Sequence, residues 1–164
     1  MICPTFPSEE KIVPLDIVDR RMLEILQREG RISNAALADQ LHLSPSPCLR
    51  RLRSLEHEGV ITRYRAELDR ARLGLGLTVF VEVKVEAHSE RNAAIIGEAL
   101  RAAPEVISAH IVSGSADFLL EVVVADLASY ERLLFGTLLK LPNVSDVRSN
   151  FALRTVKSAG PLPL

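Results

Sequence analysis

The chain has no apolar run long enough to cross a bilayer, only two cysteines, and no large charge excess of either sign. Each shortage excludes something. A membrane-spanning helix needs about 20 consecutive apolar residues, so the 48% apolar content is available for a core instead. The opening stretch MICPTFPSEEK lacks an apolar h-region, which predicts no signal peptide and a cytoplasmic protein. Cys3 lies in a proline-rich stretch and Cys48 inside a predicted helix, so no disulfide framework is expected. A net charge of −1 excludes a general polyanion binder. Splitting the chain after Arg72 changes little: 12 Lys/Arg against 11 Asp/Glu before it, 8 against 10 after it. Catalytic signatures are missing too. His42, His57, His88 and His110 are scattered, and none has a cysteine or carboxylate at metal-ligand spacing. There is no P-loop, no dinucleotide-binding glycine run and no nucleophile elbow. Neither an enzyme nor a cofactor is expected.

What the chain does have is a local pattern. Residues 1–14 hold Pro4, Pro7 and Pro14 without apolar periodicity and read as a mobile tail. Asp16 then caps a helix with Val18, Met22, Ile25 and Leu26 on one face, stopped by Gly30. Ser33 caps a second, short helix carrying Leu37, Ala38 and Leu41. The turn that follows, Leu41-His42-Leu43-Ser44, needs one residue of positive φ, and His42 is the candidate. A third helix begins at Ser44-Pro45-Ser46-Pro47, where proline is tolerated because first-turn N–H groups lack intrahelical acceptors. Leu49, Leu52 and Leu55 face inward with Cys48 beside them. Ser46, Arg50, Ser54 and His57 face outward, with Arg53 at the edge. Val60 to Asp69 alternates as short strands would. Two short helices, a tight turn, a basic helix and a hairpin outline a winged helix-turn-helix.

That outline predicts a DNA surface. Ser44 and Ser46 stand at a helix N-terminus, where N–H groups and the dipole favour phosphate. Arg50 and Arg53 project further along, within reach of base edges or backbone, with Arg51 and Ser54 on the same helix. Arg63 and Arg65, in the wing, serve equally well as phosphate contacts or as ordinary strand-edge charge. The bland alternative for the helix is a solvated amphipathic face. The preceding short helix, the turn and the Ser-Pro entry argue against it.

After a glycine-containing hinge at residues 70–76 the pattern changes. Thr78 to Glu86, TVFVEVKVE, alternates as a strand with one wet face. Ser89 caps a helix ending at Pro104. Val106 to Ser113 and Phe118 to Val124 read as strands around a turn. Asp126 caps a helix ending before Pro142, and Val144 to Val156 reads as the last strand. The order β-α-β-β-α-β predicts a ferredoxin-like sandwich with both helices on one sheet face. Apolar residues on the other face predict self-association. The fold class is therefore α+β, divided into a tail (1–14), a winged helix-turn-helix (15–64), a linker (65–76), a βαββαβ domain (77–157) and a C-terminal tail (158–164). Ser113, Gly114, Ser115, Ala116 and Asp117, between two strands, read as a plain turn or as a polar cup in which N–H groups hold a carboxylate and Asp117 an ammonium. On residues alone the turn is favoured.

Five ordered motifs carry a resemblance: LDIVDRRMLEILQREGRIS from Leu15, LHLSPSPCLRRLRSLEHEGVI from Leu41, Ala66-Glu67-Leu68-Asp69 with Leu73-Gly74, VSGSADFLLEVVV from Val112, and LLKLPNVSDVRSNFALRTVK from Leu138. From Leu15 to Lys157 the chain resembles the Lrp/AsnC regulators. The resemblance implies a DNA-binding transcription regulator that senses a small effector, an amino acid. It implies pairing as a homodimer through the sheet, further assembly to an octamer in many members, and effector binding near the Ser113–Asp117 turn. Ser149 and Asn150 on the last strand are implied to lie in that region. The chain departs from the family at His42, where many members have Gly, and at Ala36, where many have a Glu that completes a capping box with Ser33. Asn150 departs as well, so the effector cannot be copied from a leucine-responding relative. Sirohaem-type decarboxylases share the two-domain outline and give the rival reading, with His110 and Arg148 as its only candidates. A DNA-binding protein without an effector is the other.

Overall fold

The structure, a computed structural model, describes residues 12–86, 89–158 and 160–164. Most of the expected mobile tail, with Cys3, and also His88 lie outside the described residues. The described chain divides into two compact units. One runs to Leu68 and includes Lys157–Leu164; the other is Asp69–Val156.

The first unit holds α1 (Ile17–Arg28), α2 (Asn34–Gln40) and α3 (Pro45–His57). Asp16 caps α1 more fully than its type alone predicts. Its carboxylate accepts from the N–H groups of Val18 and Asp19, and Asp19 accepts in return from the Asp16 N–H. Ser33 Oγ accepts from Ala36 N–H at 3.2 Å, without the reciprocal bond that a Glu at 36 supplies in a capping box. His42 turns the chain between α2 and α3 with φ of 55°. The core is Met22, Leu23, Ile25, Leu37, Ala38, Cys48 and Leu55. Cys48 is fully buried as a small apolar group, and burial pushes its thiol pKa up.

The expected wing strands do not form. After a bend at Ile61, residues 62–69 run without strand pairing. An isolated two-stranded ribbon is marginal in water, and Thr62-Arg63-Tyr64-Arg65-Ala66-Glu67 has no buried face to pack.

The second unit has β1 (Leu77–Val85), α4 (Glu90–Ala102), β2 (Val106–Ile111), β3 (Phe118–Val124), α5 (Leu127–Gly136), a 3-10 turn (Leu138–Lys140) and β4 (Val144–Phe151). The sheet is antiparallel in the order β2-β3-β1-β4. Ser89 and Asp126 cap α4 and α5. Val79, Val81, Val83 and Val85 alternate toward Ile96, Leu100, Tyr130 and Leu133, so both helices cover one face. β2 and β4 end earlier than their apolar patterns suggest. Val112 N–H already closes the turn on the Asp117 carbonyl, and Ala152 N–H makes the last bond between β4 and β1, to the Thr78 carbonyl.

The uncovered sheet face is mixed rather than apolar. Phe80 and Leu119 share it with Glu82, Lys84, Glu121, Arg148 and Asn150. The hinge chain is fastened there, where Arg70 Nη1 donates to Glu121 Oε1 at 2.9 Å and to Thr78 Oγ1 at 3.3 Å.

Candidate nucleic-acid interface and effector turn

The face of α3 is set by its stripe of Cys48, Leu52 and Leu55 against α1 and α2. Opposite that stripe, Ser44, Ser46, Arg50, Arg53 and Ser54 are exposed. Arg50 and Arg53 make no hydrogen bond or ion pair among the described residues, so both guanidinium groups keep all their donors for a ligand. Ser54 is committed: its Oγ donates to Glu58 Oε1 at 3.1 Å. Arg63 is exposed in the extended segment beyond α3.

Arg51 does not join that face. Its Nη1 lies 2.6 Å from Asp16 Oδ2 and 2.9 Å from Asp19 Oδ1, tying α3 to the first turn of α1. Hydrogen bonds to Asp16 and then Asp19 raise its pKa. The signal was in the spacing. Arg51 stands three residues after Cys48 and four before Leu55, on the buried side of the helix.

The helix N-terminus is also poorer in donors than its position implies. Pro45 and Pro47 remove two of the first-turn N–H groups, leaving Ser46 N–H between them. Ser44 makes no side-chain cap, so its hydroxyl remains available. Anion contact at this end therefore rests on the hydroxyls and N–H groups of Ser44 and Ser46.

Two anchors were not read from the sequence. Asn34 Nδ2 donates to the Pro45 carbonyl at 3.0 Å, fixing α2 to the start of α3. The Tyr64 hydroxyl donates to Glu56 Oε1 at 2.8 Å, holding the extended segment against α3. Desolvation, then the hydrogen bond to Glu56, pushes the Tyr64 phenol up to about 12.

In the second unit, Ser113, Gly114 and Ser115 form an exposed turn, and Gly114 has φ of +127°. Asp117 is built into the sheet. Its N–H donates to the Val83 carbonyl at 3.0 Å, and its Oδ2 accepts from Val85 N–H at 2.8 Å. A carboxylate so engaged pins the turn to β1.

Ser149 and Asn150 do not converge on this turn within the chain. Phe118, Val83 and Val147 mark its level across the sheet. Ser149 sits two residues beyond Val147, roughly 7 Å along β4, and two strands from β3, roughly 10 Å across. The two side chains also part. Ser149 Oγ shares a hydrogen bond with the Tyr130 hydroxyl on the helix side, and Asn150 Nδ2 donates to Glu82 Oε1 on the open face. His110 and Arg148 stand at opposite edges of one cross-sheet row through Leu119 and Glu82. Three strand spacings, roughly 14 Å, separate them, and Arg148 lies 3.7 Å from Glu82. Among the described residues no cluster of His, Cys, Asp or Glu is arranged to hold a metal. No described helix is long and apolar enough to cross a membrane.

Comparison with known proteins bears on both units. Residues 15–62 match the winged helix-turn-helix DNA-binding family, and residues 78–162 match the Lrp/AsnC ligand binding domain. The chain is 43% identical over 155 residues to the leucine-responsive regulatory protein of Haemophilus influenzae, covering 92% of this chain and 90% of that one. It is 40% identical over 148 residues to the leucine-responsive regulatory protein of Escherichia coli, covering 90% of each. Among solved structures, a Neisseria meningitidis transcriptional regulator in complex with L-Met superposes with a TM-score of 0.87 at 35% identity, over 92% of this chain and 97% of that one. An AsnC family regulator from Agrobacterium tumefaciens gives 0.86 at 36% identity, over 91% and 97%.

Proposed function

This chain belongs to the Lrp/AsnC family of DNA-binding transcriptional regulators, and we propose that it is a cytoplasmic regulator whose DNA affinity or assembly is set by an amino acid. The observation that carries the DNA half is the exposed, uncommitted pair Arg50 and Arg53 on a helix whose other side is locked into the core. Arg50, Arg53, Ser44 and Ser46 make the contact surface, with Arg63 as a flanking phosphate contact. Arg51 is left out, because Asp16 and Asp19 already hold it. Neutralising a few phosphates is all that a chain of net charge −1 needs from such a patch.

The amino-acid half is supported by the L-Met complex of the Neisseria relative. In this chain the Ser113–Ala116 backbone supplies carboxylate-binding N–H groups. Ser149 and Asn150 lie too far along the sheet to complete that site within one protomer. Self-association is supported by the uncovered sheet face, where Phe80 is 42% exposed among paired charges. A two-fold dimer presents two copies of α3, so the operator is a pseudo-palindrome with half-sites about one helical turn apart or a multiple. Effector and DNA are then coupled by linkage: whichever state the amino acid favours, DNA affinity moves by the same factor.

Titration calorimetry of each of the twenty amino acids into the full-length protein tests the effector half. At least one should bind, and Gly114→Val should weaken it through backbone strain, because φ of +127° disfavours a β-branched residue at the turn. Binding of none removes the effector from the proposal. Binding unaltered by Gly114→Val moves the site elsewhere.

A further inference from the structure

The described chain passes between its two units twice, after Leu68 and again after Val156. The second passage ends in Gly160-Pro161-Leu162-Pro163-Leu164. Both peptide groups of Leu162 are held by one exposed side chain of α1. Leu162 N–H donates to Gln27 Oε1 at 2.5 Å, and Gln27 Nε2 donates to the Leu162 carbonyl at 3.3 Å. A carboxamide paired this way satisfies donor and acceptor of one residue together, as a neighbouring strand does. The flanking prolines sharpen the recognition. Neither has an N–H, so Leu162 carries the sole backbone donor from 161 to 163, and their fixed φ leaves little freedom to lose on docking.

The rest of the segment is arranged around that contact. Lys157 lies over Gly160, where a Cβ would meet Lys157 Cε at 3.2 Å. Between β4 and this turn, Leu153 and Val156 are 100% and 88% exposed. Residues 153–158 are thus exposed, and the fastening lies at Leu162.

We propose that α1 bears a docking site for the chain's own C-terminal Pro-Leu-Pro-Leu peptide, and that the docked peptide is a second tether of the ligand-binding unit to the DNA-binding unit. Two hydrogen bonds to a short peptide are weak between separate molecules. A short connection raises the effective concentration to about the millimolar range and sustains them in one chain.

Two variants separate docking from folding. Gln27→Ala changes an exposed helix position, and Leu162→Pro removes the N–H donor together with a leucine side chain that is largely exposed. Full-length protein and both variants are given brief trypsin treatment, with products followed by mass spectrometry and thermal midpoints as the control on folding. Cleavage after Lys157, releasing residues 158–164, reads the docking. It should be roughly tenfold faster in both variants, the occupancy that one or two net hydrogen bonds sustain. Cleavage after Arg65, in the extended segment, reads the tether and should also quicken in both. An unchanged rate at either bond, with thermal midpoints preserved, overturns the proposal.

Discussion

The guanidinium of Arg51 bridges Asp16 and Asp19, at 2.6 and 2.9 Å, across two helices whose contact residues are more than thirty positions apart. Its neighbour Arg50 points to solvent. Two adjacent arginines on one helix therefore serve different ends, one joining α3 to α1 and one facing outward. Arg51→Ala should lower the thermal midpoint by a few degrees and affect DNA binding only through that loss. A normal midpoint with abolished DNA binding contradicts this division.

Acid should act at the same place. The Asp19 N–H and then Arg51 hold the Asp16 carboxyl below its ordinary value of 3.8. A depressed carboxyl stabilises the fold above its unfolded pKa, and that contribution is lost as pH falls through the lower folded value. Helical circular dichroism of the wild type should therefore fall off below about pH 4. Asp16→Asn should be less stable at neutral pH and less sensitive to acid in that window. Parallel acid profiles for the two proteins contradict the assignment.

His42 occupies the left-handed region at φ 55° without being glycine. His42→Gly should stabilise the helix-turn-helix by about 0.5–1 kcal/mol, since the strain relieved exceeds the added freedom of the unfolded chain. Urea midpoints read it. A destabilised variant implies that the imidazole contributes something beyond the turn.

Asp117→Ala should destabilise the ligand-binding unit by about 1–3 kcal/mol, because it leaves the Val85 N–H without its carboxylate partner. The midpoint in denaturant checks this. Loss of effector binding with full stability restores the ammonium-holding role.

How far these features were legible follows from where their causes lie. Asp16, Ser33, Ser89 and Asp126 announce their helices because capping is local, and all four do cap. His42 was legible for the same reason. The ferredoxin-like order followed from periodicity, since Val79 to Val85 alternates without interruption. The side of the helix that Arg51 takes is legible in its spacing from Cys48 and Leu55, but its partners Asp16 and Asp19, in the first turn of α1, are not. Asp117 looked like ligand chemistry in isolation, and only the register of β3 against β1 shows which N–H it takes. The wing looked like strands because alternation is local too, whereas strand formation needs a partner. Gln27 and Leu162, 135 positions apart, left no local trace of their contact.

The most direct test of the central claim is fluorescence anisotropy of labelled DNA from upstream of the gene, titrated with wild type, Arg50→Ala and Arg53→Ala at several salt concentrations, with and without a mixture of amino acids. The account predicts tight, salt-sensitive binding by the wild type, well above a scrambled control. Removing a phosphate-contacting arginine should flatten the salt slope by about 1, and removing a base-contacting one should cost about 1–3 kcal/mol. The mixture should shift wild-type affinity by roughly 5–150-fold. Binding no better than the scrambled control, or an affinity indifferent to every amino acid, contradicts it.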